Sequence, residues 1–77
     1  MQFVIGSKQT TKMVEQGKAT EVYVAQDTDP RLKDNIVRLC EAANVPISWV
    51  ETMKILGETC GIEVGAAMAA VVIPEKE

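Results

Sequence analysis

The chain is organised around the segment Leu56-Gly57-Glu58-Thr59-Cys60-Gly61-Ile62-Glu63-Val64-Gly65-Ala66-Ala67. A helical pattern runs into Gly61, and small and β-branched residues follow Gly65. This order predicts a helix end, a short loop and a buried strand. The loop is unusual because it contains Ile62 and Val64, whereas surface loops are usually polar. These two side chains need either a core to pack into or a ligand to contact.

Apolar and β-branched residues predict four strands, at residues 2–5, 21–25, 47–50 and 66–73. Three helical segments separate them, from Lys8 to about Gln16, from Pro30 towards Asn44, and from Thr52 to Cys60. The alternation predicts an α/β protein, a three-layer α/β/α sandwich with a four-stranded, mainly parallel or mixed sheet. Trp49, in the third strand, is predicted to be core or half-buried.

Helix boundaries are marked by residues with capping preferences. Ser7, Asp29 (followed by Pro30) and Thr52 are predicted N-caps, and Gly17 and Asn44 are predicted C-terminal stops. Gly57 is unfavourable inside a helix, which suggests a close approach between two backbones. Pro74 is expected to end the last strand, with a solvated tail at residues 75–77.

Length and composition restrict the class of protein. The 77 residues are predicted to form one domain, residues 1–77, and a hydrophobic content of 47% is sufficient for a globular core. No apolar run approaches the ~20 residues of a membrane span. The segment 1–6 lacks the charged region of a signal peptide. We therefore expect a cytoplasmic protein.

Few residues suited to catalysis or metal binding are present. The chain has no histidine and two cysteines, Cys40 and Cys60, which are predicted to be reduced core residues. Asp27 and Asp29 are explained as turn and capping residues, and the glycine spacing matches no phosphate-binding loop. We expect no metal, no cofactor and no catalytic residue. The hypothesis that the protein is an enzyme acting on small molecules is therefore weak.

A local basic segment stands out in a chain whose net charge is −3. Between residues 6 and 18, three lysines against Glu15 give a balance of +2. Lys8 and Lys12 share one helix face, and free N–H groups in the first helical turn favour an anion. Gln9 can both donate to and accept from a nucleobase edge. The alternative is an ordinary solvated helix start.

Three motifs resemble one known family. They are Gly6-x-Lys8-Gln9-Thr10-x-Lys12, Asp27-x-Asp29-Pro30, and Leu56-Gly57-x-x-Cys60-Gly61-Ile62-Glu63-Val64-Gly65-Ala66-Ala67. Together they are similar to the kink-turn-binding ribosomal-protein family of the archaeal L7Ae type, in its bacterial YbxF-like and YlxQ-like branch. The resemblance covers nearly the whole chain. It implies an α/β/α sandwich that binds kink-turn RNA, a bulge flanked by tandem sheared G·A pairs.

The resemblance also implies an RNA-binding set: Gly6, Ser7, Lys8, Gln9, Lys12, Ile62, Glu63 and Val64. Lys8 and Gln9 would reach the G·A pairs, Lys12 a phosphate or guanine edge, and residues 62–64 the bulge. Archaeal members carry Asn-Glu where this chain has Lys8-Gln9. Many relatives also have a helix before the first strand, so some sheet surface is expected to be exposed here.

Our hypothesis is a non-enzymatic RNA-binding protein that stabilises kink-turn RNA, with ribosomal or regulatory RNA as its partner in a ribonucleoprotein. We expect no membrane association and a monomer in the free state. The alternative is a protein–protein adaptor that uses the apolar loop 61–65 without RNA, the lysines then being incidental.

Overall fold

The computed structural model describes residues 2–73. Strands and helices alternate in the order β1 (Gln2–Ile5), α1 (Ser7–Glu15), β2 (Ala19–Ala25), α2 (Pro30–Ala43), β3 (Ile47–Val50), α3 (Met53–Cys60) and β4 (Met68–Val72). The predicted βαβαβαβ order is confirmed, while Pro74 and the tail 75–77 lie outside the described residues. β2 begins two residues earlier than predicted, beside a pairing irregularity between Ala19 and Glu21. β4 begins two residues later, because the Ala66 N–H donates to the Met53 carbonyl instead of to a strand.

The four strands form one mixed sheet in the order β1-β4-β2-β3. β2 and β3 are parallel, and β4 is antiparallel to both of its neighbours. β4 therefore lies in the interior of the sheet, and its five residues are all buried. This position explains why its sequence is apolar throughout.

Helices cover both faces of the sheet. The face covered by α1 and α2 holds one core cluster, built on Val14, Val22, Val24, Ile36, Cys40 and Met68. The other face carries a smaller cluster of Ala25, Leu56 and Ala66 under α3. The predicted three-layer α/β/α sandwich with a mixed sheet is thus confirmed.

Some predicted core residues are less buried than expected. Cys40 is buried but Cys60 only half-buried, and burial raises the pKa of both thiols. Trp49 keeps 45% of its surface exposed, because β3 is an edge strand. On the α3 face, Phe3 and Tyr23 are half-buried and pack edge to face, with ring centres 5.8 Å apart.

Two of the three predicted N-caps are confirmed. Asp29 accepts from the Arg31 N–H at 2.8 Å, and Thr52 accepts from the Ile55 N–H at 3.1 Å. The prediction for Ser7 is wrong, because Ser7 is the first residue of α1 and Gly6 is its N-cap. Gly6 has φ 107°, a conformation that glycine adopts readily, so that β1 passes into α1 through a single residue.

Each helix ends in a left-handed residue, as the sequence predicts for Gly17 and Asn44. After α1, the Gly17 N–H donates to the Val14 carbonyl and the Lys18 N–H donates to the Met13 carbonyl. This pair of bonds is a Schellman motif. Gly61 ends α3 in the same way, with φ 81°, and turns the chain back along the helix it has just left.

Candidate nucleic-acid interface

The two motifs at the ends of the chain meet at one end of the sheet. β1, β2 and β3 all run towards this end and β4 starts there, so the three helices also begin there. The Gly6 N–H donates to the Met68 carbonyl at 3.1 Å, and the Ala25 N–H donates to the Ala67 carbonyl at 2.9 Å. The start of α1 therefore adjoins the end of the loop that precedes β4.

The loop after α3 folds back on α3 itself. The Ile62 N–H donates to the Gly57 carbonyl and the Ala66 N–H to the Met53 carbonyl, each at 3.0 Å. A Cβ on Gly57 would lie 2.1 Å from the Val64 carbonyl oxygen. The predicted close approach at Gly57 is thus confirmed. Because α3 supplies backbone acceptors for it, the loop has a defined shape although it is not part of the sheet.

The side chains of loop 61–65 divide between core and solvent. Ile62 is half-buried and packs against the Leu56 and Ala66 cluster. Val64 is 71% exposed, and Glu63 is also exposed. Because Val64 presents a branched apolar side chain to water and Ile62 packs inwards, Val64 is the better candidate of the two for a ligand contact.

The start of α1 presents its polar side chains outwards. Lys8, Gln9 and Lys12 are exposed, whereas Thr10 is buried with its hydroxyl 3.4 Å from the Val4 carbonyl. Thr10 therefore fixes the rotation of the helix so that Lys8 and Gln9 face solvent. Unlike α2 and α3, α1 has no side-chain cap, so its first-turn N–H groups are available to an external acceptor.

A shallow cleft of about 230 Å³ runs along this helix. It is lined by Ser7, Lys8, Thr11, Lys12, Glu15 and Leu32. Leu32 belongs to the first turn of α2, so the cleft lies between the two helices, with Lys8 and Lys12 among its lining residues. The two lysines can donate to a phosphate or a base edge, while Glu15 adds a negative charge to the same cleft.

Several charged residues at this end were not identified from the sequence. Arg31 and Lys54 are exposed in the first turns of α2 and α3, and Lys33 donates to the Gln26 carbonyl at 2.8 Å. Asp27 accepts from the Met53 N–H at 2.9 Å and so holds α3 to the loop after β2. A cation just after a predicted helix start can be found in the sequence. It indicates a shared basic surface only when the topology is known to bring the helix starts to one end of the sheet.

The carboxylates at this end have structural partners. Asp29 accepts from a helix N–H, as its prediction as a capping residue suggests, and Asp27, predicted as a turn residue, accepts from the N–H of Met53 in another helix. Within residues 2–73, no three side chains of the types that bind metals come together. In the same part of the chain, no helix is long and apolar enough to cross a membrane.

The whole chain, residues 1–77, matches the model of the Ribosomal protein L7Ae/L30e/S12e/Gadd45 family. The chain belongs to this family. An RNA-binding protein from Geobacillus sp. strain WCH70 is 46% identical over 69 residues, which cover 90% of this chain and 84% of that protein. The RNA-binding protein YbxF of Geobacillus stearothermophilus is also 46% identical, over 88% of this chain and 83% of its own length. The resemblance drawn from the three motifs is thereby confirmed.

Two solved structures share the fold of this chain. The Giardia lamblia 15.5kD RNA binding protein superposes with a TM-score of 0.87 at 27% identity and covers 96% of this chain. This chain spans 62% of the length of that structure. A Bacillus halodurans protein of unknown function superposes with a TM-score of 0.80 at 23% identity and shares the fold.

Proposed function

We propose that this protein is a non-enzymatic RNA-binding protein that recognises and stabilises kink-turn RNA. The observation that carries the proposal is the hydrogen bond from the Gly6 N–H to the Met68 carbonyl, which joins the start of α1 to the first residue of β4, just after the loop that carries Ile62 and Val64. Membership of the L7Ae family and relatives named as RNA-binding proteins support it. The protein is proposed to act in the cytoplasm, on ribosomal or regulatory RNA.

The start of α1 would read the G·A pairs. Gln9 offers a donor and an acceptor to a base edge, while Lys8 and Lys12 offer ammonium groups to phosphates or a guanine. The uncapped N–H groups of Ser7 to Gln9 add fixed donors and the positive end of the helix dipole. Because Thr10 is buried, this helix turn presents its donors without rearrangement, which reduces the entropy cost of binding.

The recognition loop, residues 61–65, would hold the bulge. Val64 gives an unpaired base an apolar surface to cover, and Ile62 supports the loop from the core side. Unpaired bases in bulges are the usual targets of sequence-specific RNA recognition, because their faces and edges are accessible. Glu63 can accept from a base amino group, or from a ribose hydroxyl, but not from a phosphate.

Electrostatics favour a shaped RNA over duplexes in general. The net charge of −3 disfavours non-specific binding, which depends on neutralising many phosphates. Cations at the helix starts lie beside the carboxylates of Asp27 and Asp29, so this end of the domain is mixed in charge. Affinity would therefore depend on the geometry of the kinked RNA.

The second candidate function is a protein–protein adaptor, favoured by the 71% exposure of Val64. Exposed apolar side chains in a rigid loop are typical of protein contacts as well. In that case Lys8 and Gln9 would have no role in binding.

Titration of a fluorescent kink-turn RNA at fixed salt separates the two functions. The control is the same RNA with both G·A pairs replaced by Watson–Crick pairs. We expect saturable binding to the kink-turn and much weaker binding to the control. Equal binding to both RNAs, or to neither, would reject the proposed function and favour the adaptor.

A further inference from the structure

Trp49 is an unusual surface residue. It is the single tryptophan of the chain, and 45% of its surface is exposed. Ile47 lies on the same face of β3, two residues earlier, and packs against the core. Large aromatic side chains contribute most when they are covered, so an exposed tryptophan on a short edge strand points to a contact outside the domain.

Trp49 forms one side of a surface cleft of about 340 Å³, which we call the Trp49 cleft and which is lined by Gln26, Lys33 and Trp49. The Lys33 ammonium donates to the Gln26 backbone carbonyl at 2.8 Å. An ammonium has three donors, so two remain for a ligand, and this bond holds the cation in place. The exposed Gln26 side chain adds an amide donor and acceptor.

This combination of groups matches one nucleotide. An indole provides a stacking surface for a base, a fixed lysine provides a phosphate contact, and an amide provides a partner for a base edge. Base stacking on an aromatic side chain tolerates any base, because every base has a π-face. The cleft suits an unpaired nucleotide, since a paired base is covered by its neighbours in the stack.

The Trp49 cleft lies within reach of the RNA proposed above. Gln26 follows β2 directly, and its N–H donates to the Val50 carbonyl at 2.7 Å. β3 is two strands away from β4, where the recognition loop ends. Strands are spaced about 4.8 Å apart, so the β3 and β4 backbones lie about 10 Å apart within the sheet. β1 and β3 run towards the same end of the sheet, so the Trp49 cleft and the start of α1 lie at one end of the domain.

Nearby carboxylates limit the site to a single nucleotide. Asp27 follows Gln26 in the chain, and the Asp29 backbone carbonyl accepts from the Lys33 N–H. Each carboxylate accepts from the N–H of a helix start, where the helix dipole offsets a negative charge. Glu51 is exposed just beyond β3. With Lys33 as the cation of the cleft, a run of phosphates would be repelled, but one stacked base with one phosphate would not.

We propose that the Trp49 cleft is a second nucleotide-binding subsite. It would take an unpaired nucleotide that flanks the kink-turn, with the base stacked on Trp49 and the phosphate near Lys33. This inference rests on the proposed kink-turn function and extends the RNA-binding surface across the sheet to its β3 edge. A flat protein partner at Trp49 is the competing occupant.

Tryptophan emission tests the subsite without any mutation, because Trp49 is the single emitter of its kind. A blunt kink-turn duplex is compared with a set of tailed duplexes, each of which carries three unpaired adenosines at a different strand end. A dye on the RNA reports the affinity. We expect at least one tailed RNA to quench Trp49 on saturation and to bind about 5- to 100-fold tighter than the blunt duplex. The blunt duplex is expected to leave the emission nearly unchanged.

Matched variants assign the effect to the cleft. Trp49→Ala and Lys33→Gln should lose most of the gain from the tail, whereas Trp49→Phe should keep part of it. Lys18→Gln, an exposed lysine beyond the far end of α1, should keep all of it. Circular dichroism and melting curves identify any variant that fails to fold. If Trp49→Ala fails to fold, the affinity of Trp49→Phe for the tailed RNA and the quenching of the wild-type emission decide the test.

Three results are distinguishable. Tailed and blunt kink-turns that bind equally, without added quenching, would overturn the subsite and leave the proposed function standing. Loss of discrimination against the Watson–Crick control RNA would remove the proposed function and the subsite with it. A tail-dependent gain that survives in Trp49→Ala would place the nucleotide elsewhere and also overturn the subsite.

Discussion

Gly57 shows how a single missing side chain shapes the recognition loop. Replacing Gly57 by alanine should destabilise the protein by about 1–3 kcal/mol, because the new Cβ would lie 2.1 Å from the Val64 carbonyl oxygen. Helix propensity alone predicts the opposite sign, a gain of about 1 kcal/mol. Urea unfolding measures the difference, with the exposed neighbour variant Glu58→Ala as the control. A more stable Gly57→Ala protein would show that the loop does not lie against α3.

Gln9 and Lys8 are the residues on which base recognition would depend. Both are exposed, so Gln9→Ala and Lys8→Ala should leave stability unchanged. Each should weaken kink-turn binding by about 1–3 kcal/mol if it forms a good base contact. Lys18→Ala serves as the control, because Lys18 is exposed beyond the opposite end of α1. Titration at fixed salt measures this, and unchanged affinity in both variants would remove α1 from the interface.

Residue-level prediction from the sequence succeeded where a residue has one strong local role. Asp29, Thr52, Asn44 and Gly17 were identified by their capping preferences, and Gly57 by its cost inside a helix. Ser7 was wrongly predicted as an N-cap, because the conformation of Gly6 allows α1 to begin one residue earlier. The hydrogen bond from the Met53 N–H to the Asp27 carboxylate was not predicted, because it joins residues 26 positions apart.

At the scale of elements, the recognition loop combines two functions in neighbouring side chains. Val64→Asp should weaken kink-turn binding with unchanged circular dichroism and melting temperature, because Val64 is 71% exposed. Ile62→Asp should instead lower the melting temperature, because Ile62 packs against the Leu56 cluster and a carboxylate there would be partly desolvated. If both variants have the same melting temperature and the same affinity for the RNA, the assignment of Ile62 to the core and Val64 to the ligand is wrong.

The start of α3 depends on a contact from another element. Asp27→Ala should cost about 0.5–2 kcal/mol of stability, because the Met53 N–H would lose its acceptor. Asp34→Ala is a suitable control, since Asp34 forms a solvent-exposed pair with Arg38 that contributes little. Denaturant titration distinguishes them. Equal stabilities for the two variants would mean that Asp27 is only a turn residue.

Element order followed from the sequence, but element placement did not. Periodicity and caps locate each strand and helix within about two residues, because these signals are local. The sheet order β1-β4-β2-β3 has no local signal, because apolar strands do not specify their neighbours. The exposure of Trp49 follows from that order, since the same residue on an interior strand would have been covered.

At the scale of the whole molecule, the topology explains why motifs far apart in the chain share one surface. Three strands run towards one end of the sheet and β4 starts there, so the helix starts, the loop after β2 and the end of the recognition loop are neighbours. The sequence motifs alone identified the two segments, and their resemblance to the L7Ae family placed them together. The structure adds the physical link through Gly6 and Met68.

That shared surface is the central claim, and amide chemical-shift mapping tests it most directly. Isotope-labelled protein is titrated with kink-turn RNA, and the change at each backbone amide is recorded. We predict the largest changes at residues 6–12 and 61–65 together, with much smaller changes on the outer face of α2, and none of this pattern with the Watson–Crick control RNA. Changes confined to one of the two segments, or centred on α2, would contradict a single surface built from both.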